Sequence, residues 1–172
     1  LFFGSVLAHE LGHAYLALRD RIPVKSITLF IFGGVAQITQ EPRSPGSEFR
    51  IAVAGPLTSL ALAGVFGGLY ILNQAVPILA APSSYLMRIN LILALFNLIP
   101  GFPLDGGRVL RALVWKLTGS LLRATQIASF TGQLVAFGFI GVGALTAFTG
   151  QFFNGLWLIF IGWFLQNAAS SA

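Results

Sequence analysis

Among these residues, His9-Glu10-Leu11-Gly12-His13 has the types and spacing that could do chemistry. On a helix, positions i and i+4 share a face, so both imidazoles can reach one metal ion. Glu10 follows the first histidine and is placed to take a proton from a nearby water. A polar cluster that hydrogen-bonds neighbouring helices without metal is the plainer reading. These are the only two histidines, and cysteine is absent. A catalytic zinc site takes three protein ligands plus water, so any third ligand must be Asp or Glu. The candidates are Asp20, Glu41, Glu48 and Asp105. The first three lie in a basic stretch, where salt bridges explain them. Asp105 lies among prolines and glycines, and could ligate a metal or cap the helix that follows. Asn97 could donate to a carbonyl or developing oxyanion, or could satisfy backbone freed where Pro100 and Pro103 break the third span.

The surroundings of these groups are apolar. Of 172 residues, 56% are hydrophobic and 9% charged, and the mean hydropathy is +0.84. Five acids and ten bases cannot cover a water-soluble globule, so the composition implies a membrane protein. It excludes disorder and a disulfide scaffold. The isoelectric point near 10.5 comes from only ten bases, which read as membrane topology rather than nucleic-acid binding. Ionisable groups are costly in lipid and are functional by default there, which raises the weight of His9, Glu10 and His13.

Spans of about 20 apolar residues are expected at Leu1 to Leu18, about Phe49 to Leu72, from about Tyr85 to Asn97, about Ala124 to Phe148 and about Phe152 to Asn167. Between the first two, Ile27 to Thr39 alternates and is β-branched, which predicts a short hairpin turning at Gly33-Gly34. Gln40 to Ser47 and Asn73 to Ser84 read as loops. Gly64-x-x-x-Gly68 has the spacing of a close helix contact, or reflects only the frequency of glycine in membrane helices. Asn90 reads as interhelical hydrogen bonding. Arg19, Arg21, Lys25, Arg43 and Arg50 cluster before the second span, and Arg108, Arg111, Lys116 and Arg123 after the third. Bases on alternate sides place both clusters, and the C-terminus, in the cytosol. The expected fold is therefore an all-α polytopic membrane protein, with about five transmembrane helices and a short re-entrant β-hairpin after the first.

The motifs resemble one family, the site-2 protease class of intramembrane zinc metalloproteases. The matching pieces are His9-Glu10-Leu11-Gly12-His13, Phe32-Gly33-Gly34-Val35, Glu48-Phe49 with Ala54-Gly55-Pro56, and Asn97-Leu98-Ile99-Pro100-Gly101-Phe102-Pro103-Leu104-Asp105-Gly106-Gly107-Arg108. The last is the family's N-x-x-P-x-x-P-x-D-G pattern. The resemblance implies one Zn2+ held by His9, His13 and Asp105, with Glu10 as general base and Asn97 contacting substrate or oxyanion. It implies that the hairpin presents an extended substrate strand.

The resemblance further implies a single metalloprotease core over residues 1–172. That core would be a fragment lacking one N-terminal span and any C-terminal regulatory domain, such as a CBS pair or a PDZ domain. The expected activity is cleavage of transmembrane segments of single-pass membrane proteins in the lipid bilayer of the cell membrane, nearer the cytosolic side. No nucleic acid takes part. The alternatives are a non-catalytic metal-binding receptor or chaperone, which would need no Glu10, and a metal transporter, for which no related halves are visible.

Overall fold

The computed structural model describes residues 1–30, 33–38 and 42–171, with the two strands described by their backbone. In chain order the elements are α1 (Phe2–Arg19), β1 (Val24–Phe30), β2 (Gly33–Ile38), α2 (Pro45–Leu72), α3 (Pro77–Asn97), α4 (Asp105–Thr118), α5 (Leu121–Phe148) and α6 (Phe152–Ser170). They form two compact units, Leu1–Leu98 and Ile99–Ala172. Four helices (α2, α3, α5 and α6) are long and apolar enough to cross a membrane, which makes the chain a multi-pass integral membrane protein.

In the first unit, α1 packs on α2 and α3, and α2 packs on α3. The end of α1 is a two-bond cap: the Ile22 amide donates to the Ala17 carbonyl at 2.9 Å and the Arg21 amide to that of Leu18 at 3.0 Å. Arg21 adopts φ 58° to make it, a left-handed conformation that usually falls to glycine. The turn drives Ile22 into a cluster with Ala17 and Ile51, the hydrophobic contact that such caps favour. Helix α2 then starts where Ser44 accepts from the Ser47 amide at 3.2 Å, with Pro45 in the first turn, where its missing N–H costs no helical bond. Strands β1 and β2 pair antiparallel from Val24↔Ile38 to Phe30↔Gly33, with an irregularity between Val24 and Ser26. Asn90 on α3 donates to Ser5 on α1 at 2.9 Å, so its reading as interhelical hydrogen bonding holds.

The second unit begins with a tight loop. A Cβ on Gly101 would lie 2.5 Å from Gly132 Cα, and one on Gly107 would overlap the Gly101–Phe102 peptide. Loop backbone thus passes against glycines of α4 and α5. The Phe102–Pro103 peptide is cis, the Phe102 amide donates to Ala128 on α5 at 3.2 Å, and the Arg111 guanidinium lies 5.2 Å over the Phe102 ring. Gly119, at φ 69°, closes α4, and Ser120 caps α5. Helices α5 and α6 approach through Gly143, Gly155 and Gly162, where any Cβ would meet facing backbone at 2.5–2.8 Å.

The expected fold class requires correction. Among the described residues there are six helices and one two-stranded ladder, and four helices, rather than about five, qualify as spans. Helix α1 is not among them, because His9, Glu10, His13 and Arg19 dilute its apolar character. The re-entrant description of the hairpin is withdrawn, since the strand pair lies against α1, which does not itself qualify as a span. Gly33-Gly34 is not the turn but belongs to β2. Ile31, Phe32, Thr39, Gln40 and Glu41 lie outside the described residues.

Helix α3 starts at Pro77 rather than Tyr85. Pro77 suits a first turn, and Pro82 is carried inside the helix. Arg88 consequently falls midway along an apolar helix, and its side chain is exposed. Gly64 and Gly68 face open space, so they make no close helix contact among the described residues.

Candidate metal centre

Helix α1 brings His9 and His13 to one face, as their spacing of four requires. Both are buried, as is Glu10 beside them. The two Nε2 atoms lie 3.2 Å apart, and the rings meet edge to face at 74°. Each Nδ1 is engaged by α2. His13 Nδ1 lies 2.7 Å from the Ile51 carbonyl. A carbonyl only accepts, so this nitrogen carries the proton and Nε2 presents a lone pair. His9 Nδ1 lies 2.9 Å from Ser59 Oγ, a hydroxyl that can accept from it. With that bond made, both Nε2 lone pairs converge on one point. Two such lone pairs repel unless a cation or a shared proton lies between them, so the donor set fits a transition-metal ion, and imidazole with carboxylate suits zinc.

Three features of α2 make room for this arrangement. Gly55 faces the imidazoles directly: a Cβ there would lie 2.6 Å from His9 Nε2 and would overlap His13 Nε2. Pro56, inside the helix, removes the amide that the Ala52 carbonyl would accept. Ser59 and Ile51 are fully buried. The motif spacing does not reveal Ser59 or the Ile51 carbonyl. Their only sequence signal is the spacing of Ile51, Gly55 and Ser59 at i, i+4 and i+8, matching the stripe that faces His9 and His13.

The other candidates divide. Asp105 opens α4 in the second unit and is half-buried. It does not cap that helix: the N-cap position is Leu104, without a side-chain bond, so the capping explanation of Asp105 is removed. Asn97 ends α3, where Nδ2 donates to its own helix at the Leu93 carbonyl, 2.9 Å away. One of its two amide hydrogens is thus spent on the backbone.

Asp20 is paired, in keeping with a salt-bridge role. Its carboxylate accepts from Arg50 at 2.8 Å and from the Ser47 hydroxyl. The Ser47 bond chiefly holds its pKa below the ordinary 3.8. Desolvation opposes this, while Arg50 and Arg19 add to the lowering. Glu48 is not a surface residue: it is wholly buried in the first turn of α2. Glu41 lies outside the described residues.

Known proteins are similar to this chain over most of its length. The model of Peptidase family M50 matches residues 1–83 and 72–139. A candidate zinc metalloprotease of Synechocystis sp. is 48% identical over 177 residues, covering 100% of this chain and 46% of that protein. The candidate zinc metalloprotease Rip3 of Mycobacterium tuberculosis is 45% identical, covering 98% of this chain and 44% of its own length. The chain thus spans about half the length of these curated relatives. The solved site-2 protease from Methanocaldococcus jannaschii superposes with a TM-score of 0.75 at 35% identity, over 99% of this chain and 74% of that one. With the family model matched across most of its length and the paired histidines held as a metal would need them, the chain belongs to peptidase family M50.

Proposed function

We propose that this chain is the catalytic core of an intramembrane zinc endopeptidase that cleaves transmembrane segments of single-pass membrane proteins. The observation that carries the reading is the buried His9–His13 pair with Nε2 atoms 3.2 Å apart beside an equally buried Glu10. His9 and His13 would hold one zinc ion through Nε2, with Asp105 as the carboxylate ligand that the Asn97–Arg108 motif supplies. The ion would contribute Lewis acidity to the attack of water on a peptide carbonyl.

The side chains do the rest. Glu10 takes one proton from the attacking water and returns it to the leaving amine, so the peptide C–N bond breaks into a carboxylic acid and a free amine. Asn97 keeps one amide hydrogen beyond its bond to Leu93, and donates it to the oxygen that gains charge. The basic stretches around Arg19 to Arg50 and Arg108 to Arg123 face the cytosol of a cell membrane, and the centre works nearer that side.

The test is metal content and cleavage of a membrane-spanning substrate by the purified full-length protein. Glu10→Gln is expected to keep zinc and lose at least about 10²-fold in rate, and Asp105→Ala to lose zinc. Full activity in Glu10→Gln sinks the mechanism, and undiminished zinc in Asp105→Ala sinks the ligand assignment.

A further inference from the structure

We propose that the Ile51–Gly55–Ser59 face of α2 is a built cradle that orients both metal-ligand imidazoles, with Ser59 as the positioning residue for His9. The proposal rests on the metal-centre reading above and assigns how its ligands are aimed.

The geometry is a ladder of matched rungs. His9 and His13 are four apart on α1, and their partners Ser59 and Ile51 are eight apart on α2, in reversed order. Two helices running in opposite directions produce that order. Gly55 lies midway, and the volume its Cβ would fill is taken by the two Nε2 atoms. One α2 stripe thus supplies an acceptor, a vacant middle and a hydroxyl.

Ser59 also departs from what threonines do inside these helices. Thr58, Thr131 and Thr146 each donate to the carbonyl four residues earlier, at 2.8–2.9 Å, the ordinary resting place for a hydroxyl in an apolar helix. Ser59 instead reaches across to His9 Nδ1 at 2.9 Å and is wholly buried. Fixing the distal nitrogen of a ligand histidine sets its ring orientation, and loss of such a partner typically weakens metal binding 10–100-fold. The two imidazoles differ in how this can be removed. His13 leans on a backbone carbonyl, which no substitution deletes; His9 leans on a side chain.

The experiment uses the full-length protein in detergent, with Co2+ in place of zinc, and reads the visible d–d spectrum and the rate of metal loss to a chelator. Ser59→Ala is expected to bind Co2+ about 10–100-fold more weakly with an altered spectrum, and Ser59→Thr, which keeps the hydroxyl, to recover both. Thr58→Val, one position away, should leave both unchanged. If Ser59→Ala binds Co2+ as the wild type does with the same spectrum, the cradle is wrong while the metal centre stands. If the wild type binds no Co2+, the metal-centre reading fails and this inference with it. Should Ser59→Ala lose its fold, judged by its melting curve, histidine ¹⁵N spectra of the metal-loaded wild type decide. Protonated, hydrogen-bonded Nδ1 on both His9 and His13 supports the cradle, and a bare Nδ1 on His9 overturns it.

Discussion

Helix α1 carries two carboxylates that are handled in opposite ways. Glu10 is buried among apolar helices next to the imidazoles. Asp20 caps the C-terminus of the same helix, where a negative charge opposes the helix dipole, and Ser47 and Arg50 on α2 offset that cost. Its depressed pKa fixes the direction of the pH dependence. The stabilisation is present above the ordinary value of 3.8 and is lost as pH falls through the lower folded-state value, because the unfolded chain takes up the proton first. Asp20→Asn should therefore cost about 1 kcal/mol at neutral pH, and the gap to wild type should close on acidification below pH 3.8. Unfolding curves across that range check this; a gap that widens in acid contradicts it. Arg21, next in the chain, holds a glycine's conformation. A non-glycine residue there is strained by roughly 1–2 kcal/mol. Arg21→Gly should raise stability by about 0.5–1 kcal/mol after glycine's extra unfolded-state entropy is deducted, read as a higher melting temperature.

At the scale of elements, the amino-acid sequence makes legible whatever rests on local spacing. His9 and His13 are four apart, so their shared face follows from helical periodicity alone. The long apolar runs of α2, α5 and α6 are equally plain. What stays hidden depends on contacts far apart in the chain: Ser59 meets His9 across 50 positions, and a backbone carbonyl such as that of Ile51 leaves no letter in a sequence. Glycines mislead for the same reason. Gly64 and Gly68 have the spacing of a helix contact yet face open space, while Gly143, Gly155 and Gly162 carry the contact between α5 and α6. Prolines mislead too: Pro77 and Pro82 look like loop residues, yet the first opens a helix and the second is carried inside it. Two substitutions separate the glycine classes. Gly64→Ala should be neutral or stabilising by up to about 1 kcal/mol, the helix-propensity gain. Gly155→Ala would put a methyl 2.5 Å from the Ala147 amide and the Gly143 carbonyl, backbone that cannot swing aside, and should cost about 1–3 kcal/mol. Detergent unfolding of the two variants ranks them, and equal stabilities would contradict the packing described.

For the whole molecule, the four spanning helices and the placement of nine of the ten bases make a joint statement about topology. Arg19, Arg21, Lys25, Arg43 and Arg50 surround the start of α2, and Arg108, Arg111, Lys116 and Arg123 lie on α4 and at the start of α5. The connections at 73–76 and 149–151 carry no charge. If α2, α3, α5 and α6 each cross once, both basic stretches and the C-terminus fall on one side and both uncharged connections on the other. That is the cytosolic bias of Lys and Arg realised twice in one chain. These 172 residues contain no cysteine, so single cysteines report cleanly once any elsewhere in the protein are removed. Gln74→Cys and Gln151→Cys should react with a membrane-impermeant maleimide in intact cells, and Thr118→Cys only after permeabilisation. The reverse pattern would invert the proposed orientation. Labelling of Gln74→Cys and Gln151→Cys from opposite sides would break the four-crossing topology itself, since two crossings, α3 and α5, separate them and must return the chain to the side it left.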